Sequence, residues 1–175
     1  MLGPITALVN NAGVGHRSAV LATPDEDWDR VLRTNLWAPW RGVKTFAEQL
    51  TSTAGCVVNV GSVYGETLPP TPTAAPTSAA YQVSKSALHR LTKILASELA
   101  PARVRVNAVL PGVFFTPLLA GLSETDAAGR VAGAPMGRPG DVAELARVVR
   151  FLLSDDASFV TGSLIPVDGG YLAAA

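Results

Sequence analysis

The sequence is short of cysteine, histidine and unbalanced charge, and each shortage removes a class of protein. With Cys56 as its one thiol the chain has no internal disulfide framework, which points to a reducing, cytoplasmic setting. Two histidines and one cysteine are too few for a zinc site of the usual kinds. Lys+Arg 14 against Asp+Glu 14 leaves no excess to draw nucleic acid or an anionic membrane. No run approaches the ~20 apolar residues that span a bilayer, and the N-terminus lacks the basic start and long apolar core of a signal peptide. A serine hydrolase is excluded as well, because "NVGSVYG" does not supply G-x-S-x-G.

What is present is apolar and ordered. The 175 residues are 48% hydrophobic, enough for one domain (1–175) with a real core. Strand-like and helix-like stretches alternate, which predicts an α/β fold: a parallel sheet with helices on both faces. "ITALV" near the start, "GCVVNVGS" (55–62), "VRVNAVLPG" (104–112) and "GSLIPVDGG" (162–170) read as strands. Between the first two, "TPDEDWDRVLRTNL" predicts a helix with Thr23 as N-cap, Pro24 at the first helical position and Glu26 closing a capping box. Pro39 is expected to kink or restart that helix. A long helix is predicted from Ser78 to Leu99, with Ala87, Leu88, Leu91, Ile94, Leu95 and Leu99 as its apolar stripe. "VFFTPLLAGLSETDAAGRVAGAPMGRPG" shows little pattern and reads as a loop, after which Asp141 and Glu144 form a capping box on the last helix. Four strands with their helices make half to two-thirds of a doubly wound sheet.

The candidate chemistry lies where strands end. Tyr81 and Lys85 of "YQVSK" stand at i and i+4 on one helix face near its start. A free tyrosine has a pKa of about 10. A neighbouring ammonium and a helix N-terminus are expected to lower it by ~1–3 units and fit it for proton transfer at a carbonyl or hydroxyl oxygen. Taken alone, the pentapeptide reads equally as an amphipathic tyrosine beside a surface lysine. Ser62 ends a strand, where its hydroxyl either closes a turn or reaches the same oxygen. Asn35 either satisfies backbone carbonyls freed by the Pro39 kink or joins a proton relay. "NNAG" and "LPGVFFTP" both follow strands, so their loops converge above the carboxyl edge, with Thr116 adding a hydroxyl. Cys56 reads as a core residue, His16 as a loop residue, and His89 as solvated among charged helix neighbours.

In this order, "NNAG" (Asn10–Gly13), Asn35, Ser62, "YQVSK", "LPG" and the terminal "VTGSLIPVDGG" resemble the short-chain dehydrogenase/reductase family over essentially the whole chain. The resemblance implies a Rossmann-like sheet of which this chain holds the C-terminal part. It also implies NAD or NADP as cofactor and a small carbonyl or alcohol substrate. Tyr81 becomes the general acid/base, Ser62 the residue holding the substrate oxygen, and Lys85 both the modulating charge and a donor to the nicotinamide ribose. Asn35 anchors a water that links Lys85 to solvent. Asn10, Ala12 and Gly13 line the cofactor, and Pro111, Gly112, Val113 and Thr116 hold its nicotinamide end. A homo-oligomer is implied too.

Two departures accompany the resemblance. The Ser62–Tyr81 interval is longer than usual in the family, the excess lying in the proline-rich "ETLPPTPTAAPTSA" that is expected to wall the substrate side. No G-x-G-x-x-G strand–turn–helix is present, nor the residue that selects NAD against NADP. The first three strands of the family fold are therefore expected to be missing, with "ITALV" an internal strand and residues 1–175 inactive alone. A second reading is a non-catalytic interaction or oligomerisation protein derived from the family.

Overall fold

The structure is a computed structural model and describes residues 3–69, 78–116 and 124–175. Its four strands are β1 (Ala7–Asn10), β2 (Cys56–Val60), β3 (Arg105–Pro111) and β4 (Leu164–Val167). All pair in parallel in the order β1-β2-β3-β4, with Val57 opposite Val106 and Val60 opposite Val109. The α-helices are α1 (Asp25–Leu32), α2 (Ala38–Ser52), α3 (Ala79–Leu99), α4 (Glu124–Ala132), α5 (Val142–Leu153) and α6 (Tyr171–Ala174), with short 3-10 and π turns between elements.

Alternation along the central strands splits the core into two layers. Val57 and Val106 face one side, where they meet Val43 and Leu50 of α2 and Ala96 of α3. Val58 and Val109 face the other and pack on Leu152 and the apolar face of α5. Helices thus cover both faces, as the alternating pattern predicts. Cys56 is buried in β2, its expected place.

Several local expectations are corrected. Pro24, not Thr23, is the N-cap of α1, and no side chain caps it. Thr23 Oγ1 instead meets Ser18 Oγ at 2.7 Å and donates to the Ala19 carbonyl, so no capping box forms. The charge of Asp25, Glu26 and Asp27 in the first turn suits the helix N-terminus without one. Before Pro39 the chain makes a wide π turn, Arg33–Trp37, and α2 restarts with Pro39 in its first turn, where a missing N–H costs little. The supposed loop after β3 contains α4. The capping box of α5 forms as expected, with Asp141 accepting from Ala143 N and Glu144 from Asp141 N. Most of the proline-rich stretch, 70–77, lies outside the described residues.

The largest revision concerns α3. Of its predicted apolar stripe only Leu88 is fully buried, and Ile94 is 42% exposed. The buried face carries Ser84, Lys85, His89 and Thr92 beside Ala80, Leu88 and Ala96. Four polar side chains on a buried face each need a partner, and their partners assemble the site.

Candidate functional site

Ser78 caps α3, its Oγ accepting from Tyr81 N at 3.1 Å and from His16 N at 3.3 Å. One contact starts the helix and the other ties it to the loop after β1. Lys85, a turn beyond Tyr81, is 3% exposed and donates from Nζ to the Val60 carbonyl at the end of β2, 2.6 Å away. Burial pulls its ammonium down to about 8. It lies 5.6 Å from the Tyr81 ring centroid. The phenol itself is pushed above its usual range by burial, while a hydrogen bond with the Ser62 side chain pulls it down. The expected lowering by Lys85 is thus corrected: burial sets the direction, and the lowering influence comes from Ser62.

Ser62 follows β2 in extended backbone, and its Oγ accepts from Tyr64 N at 3.2 Å, starting a short 3-10 turn. His89 supports it from below. The ring is 2% exposed, not solvated as its charged sequence neighbours suggest. Its Nδ1 meets Glu66 Oε1 at 2.6 Å, and Nε2 accepts from Ser62 N at 3.3 Å. Burial holds the imidazole pKa below its usual value, against the pull of Glu66. A neutral ring with its proton on Nδ1 satisfies both contacts. A Cβ on Gly61 or Gly65 would run into this ring, so both glycines are close-approach positions.

Asn35 is wholly buried, but its partners are not the carbonyls of the kink. Its amide pairs with Val14 in both directions, at 2.9 Å each, and donates to Ser84 Oγ at 3.0 Å. That holds the loop after β1 against α3. Asn10 takes part in a second chain: it donates to Asn59 Oδ1 at 2.8 Å, and Asn59 donates to Thr92 Oγ1 at 2.9 Å.

These elements surround a cavity of about 730 Å³ above the carboxyl ends of the strands. Ala12, Gly13, Ser62, Tyr81, Lys85, Pro111, Gly112, Val113 and Thr116 all line it; Asn10 and Asn35 do not. Gly112 is bare because a Cβ there would come within 2.8 Å of Asp168 Cα. A side chain on Gly13 would stand 3.5 Å from Lys85 Nζ and 3.6 Å from Asn35 Oδ1. His16 lines the rim and meets Asp27 at 3.3 Å. Tyr64, Phe114 and Arg130 are lining residues that the sequence reading missed. Tyr64 carried a signal, two residues after Ser62; Arg130 carried none. Among the described residues no group of three or more His, Cys, Asp or Glu could hold a metal ion, and no helix is long and apolar enough to cross a membrane.

The family model described as enoyl-(acyl carrier protein) reductase matches residues 1–172. The chain belongs to the short-chain dehydrogenase/reductase family. Similar members include the cyclopentanol dehydrogenase of Comamonas sp. (strain NCIMB 9872), 40% identical over 172 residues that cover 97% of this chain and 66% of that protein. The 3-oxoacyl-(acyl-carrier-protein) reductase FabG of Thermotoga maritima is 37% identical over 172 residues, 96% of this chain and 66% of that protein. Among solved structures, a gluconate 5-dehydrogenase from Burkholderia cenocepacia J2315, in complex with NADP and tartrate, superposes with a TM-score of 0.93 at 32% identity. It covers 99% of this chain and 67% of that one. This short-chain dehydrogenase/reductase chain therefore spans about 66% of the length of the curated relatives it matches. Its lineage is enzymatic.

Proposed function

We propose that the protein is an NAD(P)(H)-dependent oxidoreductase that interconverts a carbonyl compound and its secondary alcohol, with Tyr81 as general acid/base. The observation that carries this is the convergence of Tyr81, Lys85 and Ser62 on one cavity whose floor is kept bare by Gly13 and Gly112. The small residues suit a flat nicotinamide ring, and the buried ammonium suits its ribose. Ala12, Gly13, Pro111, Gly112, Val113 and Thr116 would hold that end of the cofactor; Asn10 is not among the lining residues. The choice between NAD and NADP is left to binding experiments.

When bound, the nicotinamide supplies a hydride to the substrate carbon or takes one from it. In reduction Tyr81 donates its phenolic proton to the carbonyl oxygen as that oxygen gains the electron pair; oxidation returns it. Ser62 hydrogen-bonds the same oxygen. Lys85 lends positive charge that favours the phenolate left behind. Asn35, its amide committed to Val14 and Ser84, acts as a positioning residue for the loop bearing Ala12 and Gly13, and for a water linking Lys85 to solvent.

The test is ketone reduction with NADH and NADPH by residues 1–175 joined to a Gly-rich dinucleotide-binding segment. Tyr81→Phe should lower kcat by about 10²–10⁴-fold with cofactor Kd nearly unchanged. Near-normal turnover in that variant would falsify the assignment. As a single partial domain, residues 1–175 alone should bind either dinucleotide about two to four orders of magnitude more weakly than the joined protein, since two charge-assisted contacts at ~1.5–3 kcal/mol each are missing. Calorimetric titration measures this.

Exposed Trp37 in the π turn, Trp40 on α2 and Ile94 on α3 support a homo-oligomer, read by sizing. The same exposed side chains suit the second reading, a non-catalytic interaction or oligomerisation protein derived from the family. Self-association without turnover in the joined protein would identify it.

A further inference from the structure

Among the described lining residues Arg130 is the one charged side chain that the mechanism above leaves unused and buried. It projects from α4 and is 5% exposed. Its Nη1 donates to the Tyr64 hydroxyl at 3.2 Å, and its guanidinium carbon lies 5.6 Å from the Tyr64 ring centroid. Tyr64 packs edge-on against Tyr171, with ring centroids 6.0 Å apart. The guanidinium is therefore held on Tyr64, which Tyr171 braces. Its Nε–H, out of reach of water, has no acceptor.

A buried N–H left without an acceptor is costly, and guanidinium cannot shed its proton to relieve the cost. Nor does the described lining of the cavity supply an anion. Among the described lining residues Arg17, Lys85 and Arg130 are cationic and none is Asp or Glu. Tyr64, which carries Arg130, follows Ser62 by two residues and shares the cavity wall with Tyr81, so the charge sits beside the proposed proton donor. We infer that Arg130 is the anchor for a carboxylate on the substrate, making the natural substrate an oxo acid or its hydroxy acid, with the carboxylate on the α4 side of the reacting carbon. The inference rests on the oxidoreductase reading only for which carbon reacts; the anion site stands on its own geometry.

The same charge could instead meet a phosphate of the cofactor, so the experiment separates the two. Calorimetric titration of the chain uses two matched pairs, gluconate against sorbitol and 3-hydroxybutyrate against 1,3-butanediol, with nicotinamide mononucleotide as the phosphate probe. The expected result is that at least one acid binds more tightly than its alcohol. Arg130→Met then weakens that acid by about 30-fold or more, leaves the alcohol unchanged, and leaves the mononucleotide unchanged. Arg130→Lys, which keeps the charge and guards against a folding defect, should retain part of the preference. An acid preference that persists in Arg130→Met overturns the inference, as does its absence from the wild type. A loss of mononucleotide binding alone overturns it too, since Arg130 would then serve the cofactor. An Arg130-dependent acid preference together with no ketone reduction by the joined protein supports the anion site and overturns the oxidoreductase reading instead.

Discussion

The two flanks of β2 differ sharply. On one side, β2 and β3 are buried along nearly their whole length, and α3 lays four polar side chains into the interior beside them, each with a named partner. On the other, β1 alternates exposed and half-buried residues, leaves Val9 39% exposed, and pairs with β2 alone. The proposed acid/base groups belong to the closed flank. The small residues against which a ring could lie come from both, Gly13 after β1 and Gly112 after β3. Acid/base groups need desolvation and fixed partners, whereas a binding floor needs access, and only the first demand is confined to one side of the sheet.

The largest test of this division is Lys85. Its pKa falls from 10.5 to about 8 on burial, so between those values the unfolded chain binds the extra proton and folded stability rises with pH. The gain across that window is on the order of 3 kcal/mol. Chemical denaturation at pH 8 and pH 10 should show this rise in the wild type and a much flatter response in Lys85→Met, which should also be the more stable protein at pH 7. Equal slopes would mean that the closed flank does not desolvate its ammonium.

A pair of truncations sharpens the contrast between flanks. Val58→Ala, in the fully buried centre of β2, should cost about 2 kcal/mol. Val9→Ala should stay within about 0.5 kcal/mol. Comparable losses in urea melts would show β1 to be as well packed as its neighbour. The smallest effect concerns His89. Because its folded pKa lies below 6.5, the unfolded state takes up the proton first, and stability declines as pH falls through that value. His89→Gln should give a shallower decline, measured by thermal melts between pH 7 and pH 5.

All four strands were legible in the sequence, because buried parallel strands write themselves as apolar runs closed by glycine, serine or proline. So were Ser62, Tyr81 and Lys85 as candidates, since their spacing survives in one dimension. The buried face of α3 was not. Its apolar stripe drew attention to Leu91 and Ile94, while the residues that enter the core are Ser84, Lys85, His89 and Thr92, whose partners come from distant segments. His89 looked solvated because its helix neighbours are charged, yet Glu66 lies on the other side of the proline-rich stretch. Arg130 was invisible for a similar reason: Tyr64, its support, stands 66 residues earlier. Thr23 failed as a cap because its hydroxyl is taken up by the Ser18 hydroxyl and the Ala19 carbonyl.

The ring of His89, wedged against Gly61 and Gly65, constrains the order in which this protein can change. Neither glycine can acquire a side chain while the imidazole is in place. A smaller residue at position 89 would free Gly61, whose next obstacle, the Val109 carbonyl, is 3.2 Å away. Gly65 would stay locked, because the Lys85 carbonyl carbon on α3 stands only 2.9 Å from its missing Cβ. One glycine is thus hostage to a side chain and the other to a backbone, and only the first can be released by a single earlier step.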